Sequence, residues 1–557
     1  MKLKVLAATI AAISAVSAGS AVAGTFIAPS KYLATKDPCL VNQGGNGTTT
    51  GSLSTVEANA AMPLYCRPEV ILYIGGATAP QLAVTLALPP AVFEGTPFRI
   101  QPSAAAGTAG AFSGTVGWYG YGKAGSAIAG KRVYVTYNNQ NGSAAGVKQL
   151  ISKTSTEAEA KGVFPGDDGA CSLTSGSAPA TASTTAYAGT YACSNVKAFE
   201  ASMAFSDVLP WELEHSELAI ANGGKVPDLS TGTLLKTEAL ALQGFTVVVN
   251  LNLYKALQKR DIAAGRLAAT CQDVISQDAA GAVCRPNISS IDYASLIRVG
   301  GITTAAKLLG DATDNIKLTV QRRVDSSGTQ AASNLYFLRQ NCQGYGTNLA
   351  GVVDNTVLKN VSVTLAGVKT KSTFGGAMAK RGLPAAAAIE YFKADGSAGT
   401  SSDFTLAVKT HGETSGVRTA IKDDASGYSI GVVSLDGLET SSGFNGNGRY
   451  VKVDGADPML TGTLASPVRD ANQRINLVNG RWPFAVEFQA VYKTAPNKMV
   501  GHDATRDLII AGLKNSDASI PGLGFFSSGA GDARNGTDKI TTVRRAGGNN
   551  CAPLVLN

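Results

Sequence analysis

Four runs with the hydrophobic pattern of a β-strand each end in a turn of small, hydroxyl-bearing or acidic residues. The runs are 70–74, 132–137, 201–206 and 316–320. A helical pattern follows the turn after the first, second and fourth runs, whereas the third run passes through Asp207 into a turn or helix. Repeated strand, turn and helix units of this kind predict an α/β fold.

A further apolar run, Gly244 to Asn250, has the most strand-like composition in the chain. An uninterrupted apolar strand is typical of a parallel sheet that is covered on both faces, and we expect that setting here. Residues 427–433 and 482–492 also have strand patterns, and residues 290–297 and 503–513 have helix patterns.

The beginning of the chain has the pattern of a secretory signal peptide. Lys2 and Lys4 precede an apolar run that extends to about Val16, and Ala21-Val22-Ala23 offers a small-residue cleavage site. No Cys follows that site, so a lipid anchor there is not expected, and no later run predicts a membrane span. We expect an exported protein, periplasmic or extracellular.

Composition divides the rest of the chain. The predicted parts are a signal peptide at 1–23, an irregular extension at 24–68, a first lobe of 69–253 plus 449–557, and a second lobe of 254–448. Stretches rich in Gly, Ala, Ser or other polar residues predict insertions at 89–131, 154–195 and 345–415.

Charge and histidine content exclude two classes of protein. The 557 residues carry a formal net charge of +8, which becomes +6 without Lys2 and Lys4, and the basic residues are scattered. A nucleic-acid-binding stripe is therefore absent from the pattern. The three histidines, His215, His411 and His502, lack the spacing of zinc ligands.

Eight cysteines in an exported chain predict disulfides. Sequence neighbours suggest the pairs Cys39–Cys66, Cys171–Cys193 and Cys271–Cys284, which leaves Cys342 and Cys551. Sequence alone does not decide among the possible pairings.

The turns after the four strand runs supply groups suited to an oxyanion. They are Thr78, Ser143, Asp207, Arg323, Asp325, Ser327, Gly328 and Thr329. Backbone N–H groups at a helix start, hydroxyls and a guanidinium all favour a bound anion. The alternative is that these residues only cap helices and that Arg and Asp near 325 pair with each other.

The set contains no arrangement of nucleophile, base and orienting group. We therefore predict capture of an anion, not its chemical conversion, and no cofactor. Carboxylates beside an anion favour one that carries a proton, so Asp207 and Asp325 would accept hydrogen phosphate or arsenate and disfavour sulfate.

The order of these motifs resembles the periplasmic phosphate-binding proteins of ABC importers, and its details resemble the secreted DING-type branch. The matching stretches are Gly76-Ala77-Thr78, residues 142–149, Phe205-Ser206-Asp207, residues 322–329 and Trp482-Pro483-Phe484. The resemblance covers roughly residues 69–515. It implies a two-lobed periplasmic-binding-protein fold of type 2 that closes on inorganic phosphate, with an ABC importer as partner.

When the phosphate ligands of the family are carried over by position, the first lobe would supply Thr78, Ser143 and Asp207. The second lobe would contribute Arg323, Asp325, Ser327, Gly328 and Thr329. The chain departs from the family at Ala79, where a bulky apolar residue is usual, and in the long spacing from Thr78 to Ser143. A surface or adhesive protein that kept the fold without the ligand, and an exported hydrolase, are the competing hypotheses.

Overall fold

The computed structural model describes most of the chain beyond residue 67. The described ranges are 68–102, 115–139, 142–151, 159–163, 171–180, 185–193, 196–213, 234–277, 279–298, 301–339, 387–435, 447–458, 475–495, 501–514, 523–525, 543–545 and 550–556. The predicted signal peptide, the extension 24–67, His215 and Cys39, Cys66 and Cys342 lie outside them.

The first group of strands lies before residue 251 in the chain. They are β1 (Val70–Gly76), β2 (Phe93–Pro102), β3 (Thr115–Gly122), β4 (Arg132–Asn138), β5 (Glu159–Val163), β6 (Cys171–Ser175), β7 (Thr190–Cys193), β8 (Val196–Glu200), β9 (Met203–Ser206) and β10 (Leu235–Asn250). Two helices lie among them, α1 (Gln81–Val92) and α2 (Gly142–Ile151).

The remaining strands are β11 (Asn287–Ile288), β12 (Leu318–Arg323), β13 (Ile389–Phe392), β14 (Leu406–His411), β15 (Tyr428–Ser434), β16 (Gly448–Tyr450), β17 (Lys452–Val453), β18 (Ala485–Lys493), β19 (Leu523–Phe525), β20 (Val543–Arg545) and β21 (Leu554–Leu556). The later helices are α3 (Leu251–Ala263), α4 (Ala279–Ala282), α5 (Ser290–Ile297), α6 (Ala305–Leu309), α7 (Gly328–Leu338), α8 (Thr414–Asp423), α9 (Ile475–Val478) and α10 (His502–Lys514). Two short 3-10 turns occupy Pro210–Glu212 and Ala269–Cys271.

One strand joins two sheets. The neighbours run in the order β13-β14-β12-β15-β10-β18-β9-β1-β4-β3-β2-β7-β6. Residues 235–244 of β10 pair with β18, and residues 245–249 pair with β15. The first half of β10 thus belongs to one sheet and the second half to the other, which confirms the two-lobed α/β prediction. The predicted residue boundaries of the lobes stay a prediction; β16 pairs with residues 248–250, on the second-lobe half of β10.

The expectation that the run 244–250 lies in a parallel sheet is wrong. Strand β10 is antiparallel to β15, β16, β18 and β19. Its apolar composition instead follows from burial, because residues 240–250 are all buried. An apolar run reports how well a strand is covered, and strand direction has to be inferred from connections.

Two segments predicted as insertions contribute to the main sheet. Strands β2 and β3 come from the segment 89–131, and β3 pairs antiparallel with β4 along its length. Trp118 and Tyr119 of β3 are buried. Strands β6 and β7, from the segment 154–195, form the far edge of the same sheet. The aromatic residues of β3 give this segment enough apolar surface to pack as core.

Disulfide predictions have mixed outcomes. Cys271–Cys284 forms a disulfide and is confirmed. Cys171 and Cys193 are directly opposite residues of the paired strands β6 and β7, and their bond stays a prediction. Cys551 is also disulfide-bonded. Among the described helices, none is long and apolar enough to cross a bilayer.

Trp482 ties the second-lobe half of the shared strand to the turn before β18. Its indole is fully buried, and Nε1–H donates to the carbonyl of Phe245 at 2.8 Å. The amide of Phe245 in turn donates to the carbonyl of Phe484 at 3.0 Å. These bonds lie where β10 changes partners, so they stabilise the junction of the two sheets.

We predict that Trp482→Phe lowers the free energy of unfolding by about 1–3 kcal/mol, because it removes a buried donor and part of the packed ring. Urea denaturation followed by circular dichroism measures the change. A denaturation midpoint equal to that of the unsubstituted protein would show that the junction does not depend on this indole.

Candidate functional site

Three of the predicted site residues follow neighbouring parallel strands of the first lobe. Strand β1 is parallel to β4 on one side and to β9 on the other. Their carboxyl ends therefore meet at one edge of the sheet, where ligands bind in α/β proteins. Thr78 follows β1, Ser143 follows β4 at the start of α2, and Asp207 directly follows β9.

Ser143 and Asp207 contact each other, and both are almost fully buried. The amide of Asp207 donates to Ser143 Oγ at 3.1 Å. Thr78 is only half-buried, and its hydroxyl donates to the carbonyl of Asn139 at 2.8 Å. The first-lobe turns are thus linked to one another by their own polar groups.

The predicted site residues of the second lobe all lie in one strand–turn–helix unit. Strand β12 ends at Arg323, a turn follows, and α7 begins at Gly328. The Ser327 amide donates to the carbonyl of Val324 at 3.0 Å, which closes the turn. Ser327 is the N-cap residue, with an extended backbone and no capping bond from its side chain. The N-terminal amides of α7 therefore receive no side-chain cap from Ser327.

The two lobes touch directly at their helix starts. The amide of Ala144 in α2 donates to the carbonyl of Ser326 at 3.0 Å. Gly142 has a φ of +77°, and a Cβ there would lie 2.9 Å from the Ser326 oxygen and from the Ser327 Cα. A side chain at this position would be strained and would also press on the opposite lobe.

Gly328 is a second glycine at which the two lobes approach closely. A Cβ on this residue would overlap Ser143 Oγ and the Asp207 carboxylate. The glycine therefore lets the start of α7 approach the two first-lobe groups. The structure thus brings Ser143, Asp207 and Gly328 together, and their role as phosphate ligands stays a prediction.

Arg323 is buried, and its guanidinium is held by a turn that precedes α8. Nη1 donates to Thr414 Oγ1 at 2.5 Å, and Nη2 donates to the Gly412 carbonyl at 2.7 Å. Burial lowers the pKa of Arg323 to about 10, while the carboxylates of Asp207 and Glu413 act in the opposite direction. The side chain therefore keeps its positive charge at neutral pH.

Among the predicted ligand residues of the second lobe, two buried side-chain atoms have no hydrogen-bond partner within the described residues. They are Arg323 Nε and Thr329 Oγ1. A buried polar group without a partner costs free energy, and the cost is larger for a charged group. Both atoms belong to predicted ligand residues, so an oxyanion seated beside them would supply the missing acceptor.

Asp325 forms an ion pair with Arg322, the other arginine of the motif. This is the pairing foreseen in the capping alternative, and it engages one oxygen of the Asp325 carboxylate. Its predicted role as a phosphate ligand stays a prediction. Arg322 is buried, and Asp325 is partly exposed.

The sequence reasoning missed the turn that holds Arg323. Residues 345–415 were expected to be polar and irregular, yet β14 covers Leu406–His411 and α8 begins at Thr414. The signal was present, since an apolar-rich run, a glycine and a threonine precede a strongly amphipathic segment. Residues 357–363, whose sequence predicts a strand, lie outside the described residues.

The histidines and acids do not form a metal centre in the described part of the chain. No group of three His, Cys, Asp or Glu side chains there could hold a metal ion. His411 Nε2 pairs with Gln321 Oε1 at 2.7 Å, and His502 Nε2 pairs with Ser202 Oγ at 2.5 Å. Burial, together with Lys409 and Arg323, lowers the pKa of His411 to about 4. That imidazole is therefore neutral beside Arg323 at neutral pH.

Comparison with known proteins finds similarity only among solved structures. No protein-family model and no curated protein sequence matches the chain. An ABC-type phosphate transport receptor from Vibrio cholerae is 14% identical, with 57% of this chain and 75% of that chain covered and a TM-score of 0.26.

Two further structures have similar values. A possible phosphate binding protein from Planctomyces limnophilus is 8% identical, with 79% and 87% of the chains covered and a TM-score of 0.28. PstS from Borrelia burgdorferi is 11% identical, with 79% and 92% covered and a TM-score of 0.26.

We predict that Gly328→Ala lowers the free energy of unfolding by about 1–3 kcal/mol, because the new methyl group overlaps Ser143 and Asp207. Thermal denaturation measures the loss. Gly176→Ala is the matched control, since a Cβ there would meet nothing within 4 Å. Equal melting temperatures for the two variants would contradict the close interlobe contact.

Proposed function

We propose that the chain is an exported solute-binding protein that captures hydrogen phosphate between its two lobes. Arg323 carries the proposal, because its buried Nε–H has no partner within the described residues. Burial lowers the pKa of its guanidinium, and the Asp207 carboxylate acts in the opposite direction. A guanidinium so placed has a buried donor that no group in the described part of the chain accepts. A bound oxyanion would satisfy that donor and balance its charge.

The proposed ligand set comes from both lobes. Ser143 and Asp207 come from the first lobe, and Gly328 and Thr329 come from the start of α7. The starts of α2 and α7 both lie at the contact, so the N–H groups and dipoles of two helices favour an anion. The proposed set also includes Thr78, Ser327 and Asp325, because of their positions in the sequence motifs.

Asp207 is the proposed source of selectivity. Its carboxylate is almost fully buried and is in contact with Gly328, so a neighbouring anion would be repelled unless it donated a proton. Hydrogen phosphate carries a proton at neutral pH, and sulfate does not. The acid therefore favours phosphate or arsenate over sulfate.

Export and a transport partner belong to the same proposal. The Cys271–Cys284 disulfide suits an oxidising compartment. The predicted signal peptide at 1–23 would direct the chain there, and a membrane-bound ABC importer would accept the captured phosphate.

The proposal predicts that phosphate raises the melting temperature of the signal-free protein after exhaustive removal of bound phosphate. At about 100 times its dissociation constant, a ligand adds roughly 2.7 kcal/mol to the free energy of unfolding. Arg323→Ala should abolish the shift, whereas Arg481→Ala, which removes an exposed arginine, should preserve it. No shift in the unsubstituted protein would instead favour a surface protein without a ligand.

We predict that Asp207→Asn reduces the discrimination between phosphate and sulfate by about tenfold or more, since the repulsive carboxylate is replaced by a neutral amide. Isothermal titration calorimetry with each anion measures the two dissociation constants. An unchanged ratio of these constants would remove Asp207 from the role of selectivity group.

A further inference from the structure

The outer end of the Arg323 side chain is fixed by one short turn of the second lobe. Thr414 Oγ1 accepts from Nη1 and the Gly412 carbonyl accepts from Nη2. The amide of Arg323 also donates to Gln330 Oε1 at 3.1 Å, which ties its backbone to α7. Protein groups therefore hold both the backbone and the guanidinium of Arg323 without a ligand.

The two bonds to the turn fix how the guanidinium is rotated. A guanidinium is planar, and its five N–H groups lie in a rigid fork. With one hydrogen of each terminal nitrogen directed at the turn, Nε–H and a second terminal N–H lie along another edge. Since Nε has no partner within the described residues, this edge is available for bidentate pairing with an oxyanion.

The turn itself is firmly placed by the strand before it and the helix after it. Strand β14 is parallel to β12, with His411 opposite Arg323, and the Val324 amide donates to the His411 carbonyl at 3.0 Å. Beyond the turn, α8 buries Val417 and Ile421 in the core. The hydrogen bonds from Arg323 to this turn therefore fix the position of the guanidinium.

Thr414 is the side chain through which this position can be tested. The second contact of the turn is a backbone carbonyl, Glu413 is exposed, and Asp325 is engaged by Arg322. Thr414 is buried and accepts the shorter of the two bonds from the guanidinium.

We propose that Thr414 is a positioning residue that orients Arg323 so that its Nε–H edge faces the anion beside Asp207. This inference rests on the proposed capture of phosphate. Thr414 does not touch the anion and acts on affinity through the direction of the guanidinium.

The test compares three variants by calorimetric titration with inorganic phosphate. Thr414→Val removes the acceptor at nearly constant volume and should raise the dissociation constant about tenfold or more. Thr414→Ser restores the hydroxyl and should bind within about threefold of the unsubstituted protein. Thr419→Val, at an exposed position of the same helix, is the matched control and should bind normally.

A double-mutant cycle separates positioning from a general loosening of the second lobe. Arg323→Lys keeps the charge but has no fork to orient, so adding Thr414→Val should then change millimolar phosphate binding less than about twofold. The same factor in both backgrounds would overturn the inference, as would a Thr414→Val protein with normal affinity. If the unsubstituted protein itself binds no phosphate, the proposed function fails and the positioning role with it.

Discussion

The structure depends on how a permanently charged guanidinium is accommodated at a buried contact between two lobes. An unpaired buried charge would cost several kcal/mol, so each group around Arg323 has to compensate for part of that cost. Gly412 and Thr414 accept from its terminal nitrogens, and Asp207 supplies the opposite charge from the other lobe. Within the described residues these groups leave the Nε–H donor without a partner, and that donor is the physical basis of the proposed anion site.

The fold brings the opposing charges together in two ways. The shared strand β10 continues from one sheet into the other, so the lobes are joined by hydrogen-bonded backbone as well as by connections. Gly142 and Gly328 then remove side chains where the two helix starts meet. Long-range sheet pairing thus sets the distance between the lobes, and the two glycines allow the last few ångströms of approach.

Much of the site could be predicted from local patterns, because each strand–turn–helix unit carries its own signal. The parallel order of β9, β1 and β4 brings the turns of Thr78, Ser143 and Asp207 to one sheet edge, which local patterns alone do not specify. The prediction that β10 lies in a parallel sheet was wrong, because an apolar run indicates only that a strand is buried. The turn 412–414 was missed because a long polar stretch before it obscured a short strand, and the partner of Asp325 could not be chosen between two adjacent arginines.

The most direct measurement is a crystal structure of the signal-free protein grown with saturating phosphate. The account predicts phosphate at the contact of α2 and α7, within hydrogen-bond distance of Arg323 Nε, Thr329 Oγ1 and the Asp207 carboxylate. Electron density for phosphate at another place would contradict the account. So would an Arg323 Nε that pairs with protein while no anion lies at the contact of α2 and α7.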